Sequence, residues 1–221
     1  MSIHFNHSFA QADAVSSSAW GPYRGFLKRV FDLVLVAVFA LPVLVILAVL
    51  SLIIMFDGSA PIYLQKRVGR NGQIFKMWKL RTMVPNAEAR LEKHLLQNPE
   101  AKSEWDQMQK LRHDPRITRI GRFIRKTSLD ELPQLWNVLV GDMSVVGPRP
   151  ITEVQRGLYP GRSYYTLQPG ITGLWQVSKR NDCSFEDRSV IDDQYAMSLS
   201  FREDLRILVQ TVGVVMRCTG L

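Results

Sequence analysis

The chain has 221 residues, with 28 Lys and Arg against 20 Asp and Glu, a net charge of +8. That length holds one domain plus an anchor. Its only cysteines, Cys183 and Cys218, stand far apart without metal-ligand spacing, which excludes a disulfide scaffold and points to a reduced, cytosolic setting.

The charge is not spread evenly. Lys66 to Lys126 contains 16 Lys and Arg against 6 Asp and Glu, or +10, so the remaining 12 and 14 make −2. Such a block suits nucleic acid, anionic lipid headgroups or a phosphorylated substrate.

Residues 1–27 are rich in Ser, Ala, His and Gln without a sustained period. They read as a flexible tail, with Trp20, Tyr23 and Phe26 approaching a membrane interface. A signal peptide does not fit, because the apolar segment starts late, is too long and lacks a small-residue cleavage site. Residues 28–57 form a membrane helix: Leu33 to Phe56 carries no charge and exceeds the roughly 20 residues that cross a hydrocarbon core. Pro42 removes a backbone hydrogen bond near its middle and bends it. Lys28 and Arg29 before the segment, and Lys66, Arg67 and Arg70 after it, argue that both ends stay on the cytoplasmic face. A kinked span with a short external tail fits the same residues.

Residues 58–221 are the cytosolic domain. Asn71-Gly72 lies between segments rich in Ile, Tyr, Val, Phe and Trp, a hairpin signal. Gly69 and Gly72 lack the strand–glycine–helix context of a phosphate loop. Lys79 and Arg81 either point at an anion or form a solvated face. Asn86 to Gln97 and Asn98 to Leu111 read as polar helices, the second with Pro99 in its first position. Arg116 to Lys126 places Ile117, Ile120 and Ile124 on one face among arginines. A helix of this kind lies at a bilayer interface, or packs its isoleucines on the core.

Asp130 and Glu131 follow that basic run. Ser128 and Glu131 have capping-box spacing, and Pro133 suits the first turn of a helix running through Leu139. The carboxylates then stand at a positive helix end, and as sequence neighbours they do not share a face, so their roles differ. Capping alone accounts for an arbitrary pair of this kind. Arg119, Arg122, Arg125 and Lys126 before it and Arg149 after it point instead to phosphate and metal chemistry. Gly141-Asp142 makes a turn and Val145-Val146 a short strand; Pro148 and Pro150 then stiffen the loop that presents Arg149. Pro169 to Asn181 reads as a glycine-punctuated loop carrying Trp175, Lys179 and Arg180. Ser200 to Arg217 closes the chain with a helix whose Leu205, Leu208, Val209, Val212 and Met216 dock on the domain or the membrane.

The stretches Gln65 to Gly69, Lys79 to Met83, Asp114 to Thr118, Ile120 to Pro150, Pro169 to Gln176 and Asp204 to Val215 together resemble the bacterial sugar transferase family, the monotopic polyprenyl-phosphate phosphoglycosyl transferases. The likeness is greatest to short enzymes that prime exopolysaccharide synthesis with a hexose phosphate. It implies a helix-rich α+β fold with a small β-hairpin and interfacial amphipathic helices, held by a re-entrant helix broken at Pro42. It implies that Asp130 attacks a UDP-sugar and releases UMP, and that the aspartyl phosphosugar then passes its sugar phosphate to undecaprenyl phosphate. Glu131 would bind Mg²⁺, while Lys79, Arg81, Arg125 and Arg149 would contact phosphate or support the site. The enzyme would work on the cytoplasmic face of a bacterial inner membrane, with a homodimer allowed and galactose or glucose favoured over N-acetylated sugars. Lys179, where glycine is more usual, Leu80 and the Thr219-Gly220-Leu221 end depart from the family pattern.

Two other readings fit parts of the chain. A membrane-tethered nucleic-acid binder accounts for the basic window, but no single-strand platform or groove-reading motif accompanies it, so no nucleic-acid partner is expected. A non-catalytic scaffold of a glycan-assembly complex would keep the fold without needing Asp130, Glu131 and Arg149.

Overall fold

The computed structural model describes residues 23–56, 60–108, 111, 113–161, 163–178 and 185–217. The apolar segment forms one helix, α1 (Lys28–Met55), which continues through Pro42, so the expected break at that proline does not occur. Its 28 residues give about 42 Å at 1.5 Å per residue. It is preceded by a π-helical turn, Tyr23–Leu27, so these residues are not part of a tail. Tyr23 packs its ring against Phe31 and Phe201 and donates to Asp204 at 2.7 Å. Trp20 lies outside the described residues.

Both ends of α1 are fastened to the same domain. Near its start, Asp32 is buried and accepts from Val145 N–H and Ser144 Oγ–H, each at 3.0 Å. Lys28 bonds Asp204 at 2.7 Å, and Arg29 donates to the Val138 and Leu139 carbonyls at 2.5 and 2.9 Å. Near its end, Leu50 and Ile54 pack with Leu80 and Ile124. Between these attachments Leu41, Leu44 and Val45 stay exposed, as a lipid-facing surface requires.

The expected hairpin forms from β1 (Ile62–Val68) and β2 (Ile74–Leu80), antiparallel and paired from Ile62–Leu80 to Val68–Ile74. Asn71 and Gly72 both take positive φ, 56° and 73°, which is why this dipeptide turns the chain. Two exposed helices follow, α2 (Ala87–Gln97) and α3 (Pro99–Met108). The chain returns beside β2 through the Met83–Ile117 bridge and the bond from Thr118 N–H to the Thr82 carbonyl at 3.1 Å. The next helix, α4 (Arg119–Lys126), is capped by Thr118, whose Oγ1 accepts from Gly121 N–H at 2.9 Å. Ile124 is fully buried and Ile120 packs beside it on the α1–β2 cluster. Those two isoleucines therefore belong to the core, while Phe123 is exposed.

Between α4 and the following helix, α5 (Gln134–Val140), lies a 3-10 turn, Leu129–Glu131. The expected capping box does not form: Ser128 is left-handed with φ 58° and its side chain caps nothing. Pro133 precedes α5 rather than occupying its first turn. The carboxylates sit on a tight corner between two helices.

Strand β3 (Ser144–Val146) pairs in parallel with β4 (Gly170–Thr172), which α6 (Leu174–Ser178) follows. Pro169 to Ser178 is thus a strand and a helix, not a loop; Lys179 and Arg180 lie outside the described residues. A helix absent from the sequence reading, α7 (Phe185–Ser198), comes next. Its buried positions are Arg188, Ser189, Asp192, Tyr195 and Ala196. The spacing is helical, but most of the buried groups are polar, so no apolar period shows.

The last helix, α8 (Phe201–Met216), is capped by Ser200 and turns Asp204 and Ile207 inward. Leu208 packs against the main core, whereas Leu205, Val209, Val212 and Met216 remain exposed, so only part of the expected apolar face docks on the domain.

Candidate active site

Three chain segments meet at the 129–131 corner. Lys79, near the end of β2, reaches both carboxylates: Nζ lies 3.4 Å from Asp130 Oδ2 and 3.1 Å from Glu131 Oε1. Arg149, on the loop after β3, donates to the same Glu131 oxygen at 3.1 Å. All but Arg149 are largely withdrawn from solvent, with side chains 16% (Lys79), 13% (Asp130) and 17% (Glu131) exposed.

These neighbours set the two carboxylates apart. Burial and the adjacent Glu131 raise the pKa of Asp130 above the usual aspartate range, although Lys79 and Arg125 oppose the rise. Burial also works against ionised Glu131, but Lys79 and Arg149 outweigh it and bring its pKa down to about 2. Glu131 is a permanent anion wedged between cations. Asp130 is a partly desolvated carboxylate whose charge is held less firmly.

The scaffold that places these groups is specific. Asn137, fully buried on α5, donates Nδ2–H to the Lys76 carbonyl at 2.8 Å and accepts from Trp78 N–H at 3.0 Å. It therefore locks α5 to the β2 edge just before Lys79, pairing two backbone groups of that strand. Arg125 donates Nε–H to Thr82 Oγ1 at 2.7 Å; burial brings its pKa below the usual arginine range, and Asp130 opposes that fall. Gly121 lets α4 approach this point, since a Cβ there would lie 2.0 Å from the Thr82 carbonyl oxygen.

Pro148 to Pro150 is tied down on three sides. The Pro148 carbonyl accepts from Gly170 N–H at 2.8 Å, the Arg149 carbonyl from Arg188 at 3.2 Å and the Pro150 carbonyl from Arg67 at 3.2 Å. Ile151 pairs with Val68 and also donates to Tyr164 Oη at 3.1 Å. Arg149 is therefore presented by a rigid backbone, as its flanking prolines led us to expect.

Of the residues singled out in the sequence, the structure gathers Lys79, Asp130, Glu131 and Arg149, with Arg125 alongside. Arg81 turns away and donates to the Ile54 carbonyl at 3.4 Å, at the end of α1; it pairs with neither carboxylate. Alternation along β2 accounts for this, because Lys79 and Arg81 share a face only while the strand continues, and β2 ends at Leu80. Asn137, Thr82, Arg67 and Arg188 were not anticipated. Asn137 left one sign, a polar residue among the apolar positions of α5.

No group of three or more His, Cys, Asp or Glu able to hold a metal occurs among the described residues. The donor set at the corner is two adjacent carboxylates. That fits Mg²⁺, which takes one or two protein carboxylates and fills its shell with water and substrate phosphate.

The two carboxylates held by fixed cations suit phosphate chemistry, and one helix of the chain is long and apolar enough to cross a membrane. The chain belongs to the bacterial sugar transferase family, which it matches over residues 23–218. It is 51% identical over 197 residues to a UDP-galactose-lipid carrier transferase of Erwinia amylovora, covering 88% of this chain and 41% of that protein. It is 46% identical over 201 residues to an undecaprenyl-phosphate galactose phosphotransferase of Salmonella typhimurium, covering 88% of this chain and 41% of that protein. It is 43% identical over 203 residues to the exopolysaccharide production protein ExoY of Sinorhizobium fredii, covering 90% and 89%. The chain thus spans about two fifths of the length of the first two relatives and nearly all of the third.

Proposed function

We propose that this protein transfers a hexose 1-phosphate from a UDP-sugar to undecaprenyl phosphate, the first membrane step in building an exopolysaccharide or another surface glycan. The observation that carries the reading is the division of labour at the corner: two adjacent half-buried carboxylates share one lysine, yet their ionisation is pushed in opposite directions. The named substrates of the Erwinia and Salmonella relatives agree with it.

In the donor step an Asp130 carboxylate oxygen attacks the β-phosphorus. The bond from that phosphorus to the bridging oxygen breaks, and UMP leaves with the electron pair. A phosphate oxygen of undecaprenyl phosphate then attacks the aspartyl phosphosugar, and Asp130 departs as carboxylate. Partial desolvation makes Asp130 a better nucleophile than a carboxylate in water. Lys79 and Arg149 are set where negative charge accumulates, without reorganisation during the step. Glu131, ionised throughout, holds both cations and would hold Mg²⁺, which when bound neutralises diphosphate charge. Arg125 supports Asp130 from the Thr82 side.

Attachment of both ends of α1 to one domain supports keeping both ends on the same side of the membrane, without the break at Pro42 that the family resemblance implies. In this arrangement the site faces the cytoplasm and sits where a soluble donor and a lipid acceptor both reach it.

The test is UMP release by purified protein given Mg²⁺, undecaprenyl phosphate and each of several UDP-sugars, with intact-mass measurement when the acceptor is omitted. The expected result is UMP with one or more hexose donors and a hexose-phosphate adduct on the peptide bearing Asp130. Folded Asp130→Asn protein with full activity would overturn the covalent assignment. Silence with every donor, from folded protein, would leave another nucleotide donor or the scaffold reading.

A further inference from the structure

The corner has a second compartment that the two-carboxylate chemistry does not use. A narrow cleft, open to solvent on one side, is lined by Arg67, Glu131, Gln134, Arg149, Pro150 and Ile171, among others. Asp130 is not in its wall. Arg67 enters it from β1, where Val68 is zipped to Ile151, so its backbone has little freedom. One guanidinium nitrogen donates to the Pro150 carbonyl at 3.2 Å and another to Gln65 Oε1 at 2.7 Å. Its Nε is shielded from solvent and has no acceptor.

The charges around Arg67 do not balance. Arg149 shares the cleft, and Arg188 lies close enough that all three guanidinium groups repel one another. Burial first, then Arg149, brings the pKa of Arg67 down to about 10. The nearby anion in the cleft is Glu131, already shared between Lys79 and Arg149. A buried donor without an acceptor, beside a second arginine and one overcommitted carboxylate, is a cradle for an anion with several oxygens.

We propose that Arg67, together with Arg149, holds the second phosphoryl group of a nucleoside diphosphate donor, the one that leaves with the nucleoside, in the cleft beside Glu131. This rests on the reading of Asp130 as the group that attacks the first. One phosphoryl group then lies at Asp130 and Lys79 and the other at Arg67 and Arg149, with Glu131 between the two cationic walls. Arg67 is thereby a binding residue for the leaving group, and it gives the site a preference for diphosphate donors over sugar monophosphates.

The test is equilibrium binding of UMP, uridine and a short polyprenyl phosphate to the full-length protein in nanodiscs, for the wild type and two variants. Arg67→Gln keeps a donor for the Pro150 carbonyl while removing the charge, and Arg67→Lys keeps the charge without the fork. UMP affinity is expected to fall about tenfold or more in Arg67→Gln and less in Arg67→Lys. Uridine and polyprenyl-phosphate binding are expected to stay unchanged. Wild-type protein that binds UMP no better than uridine, or UMP affinity unaltered in the folded Arg67→Gln variant, would sink the proposal. A loss confined to polyprenyl phosphate would also sink it, by giving the cleft to the acceptor. None of these measurements needs the covalent step, so full activity in Asp130→Asn would remove that reading while leaving a lost UMP affinity intact.

Discussion

Arg125 and Thr82 face each other across the α4–β2 junction, with the guanidinium Nε–H directed at the threonine hydroxyl oxygen at 2.7 Å. A buried neutral oxygen thus orients a cation whose charge supports Asp130. Thr82→Val keeps the shape and removes the acceptor. A hydrogen bond to a charged group contributes about 1.5–3 kcal/mol, so we expect UMP release to slow by roughly tenfold or more. Thr82→Ser is expected to retain most of the rate, and comparing the two in one assay checks the assignment.

The pH dependence follows from the opposed shifts. With the Asp130 pKa raised by burial, the donor half-reaction should lose rate below an acid limb lying above the ordinary aspartate range. Lys79 favours the charged form of Asp130, so Lys79→Met should move that limb to higher pH as well as lower the plateau. A limb that stays in place would show that Lys79 does not tune Asp130.

Glu131 acts on stability with a definite sign. Its pKa falls from 4.5 to about 2 on folding, so ionised Glu131 stabilises the native state above about pH 4.5. That contribution is lost as the pH falls toward 2. In Glu131→Gln the native state should therefore depend less steeply on pH between these values, as read from thermal unfolding at a series of acid pH values.

Asn137 is expected to be among the costliest single sites outside the carboxylates. Asn137→Leu strands the Lys76 carbonyl and the Trp78 N–H, both partners of its amide. Each hydrogen bond lost costs about 0.5–1.5 kcal/mol, giving a loss of about 1–3 kcal/mol in denaturant unfolding. Because Lys79 follows on the same strand, activity should fall even at temperatures where the variant stays folded.

Arg81 offers the contrasting case. It meets the carboxyl end of α1 through the Ile54 carbonyl, so Arg81→Gln should leave the donor KM within about twofold of wild type. Its effect should appear instead as a small loss of thermal stability, about 1 kcal/mol for one hydrogen bond. A donor KM raised tenfold would return Arg81 to the phosphate site.

Much of this arrangement was legible in the sequence because local rules govern it. Asn71-Gly72 forces a turn by its dihedrals, and Pro148 and Pro150 stiffen their loop by their rings. An uncharged apolar run of two dozen residues has few soluble uses. What escaped the sequence depends on contacts between distant residues. The buried stripe of α7 is polar because Arg188 and Asp192 find partners there: the Arg149 carbonyl for one, the Tyr159 hydroxyl for the other. The pairing of β3 with β4 joins segments 26 positions apart at Ser144 and Gly170, and neither is long enough to announce itself. Ser128 and Glu131 had the spacing of a capping box, yet the corner they occupy is set by α4 and α5 packing rather than by local capping.

Under the proposed function, the double attachment of α1 bears on how a water-soluble and an oil-soluble reactant would meet. A domain tethered at one point swings, and its distance from the lipid plane fluctuates with the length of its leash. Held at Asp32 and again at Ile54, this domain has no slack in which to tilt or drift. With α1 in a bilayer, as the proposed function has it, the corner would keep a constant height above the hydrocarbon boundary, and a lipid acceptor's phosphate would come to that height. Lengthening the acceptor's tail adds greasy anchor below the plane without changing what the site meets, whereas a thicker or thinner bilayer changes the depth at which both reactants are brought together.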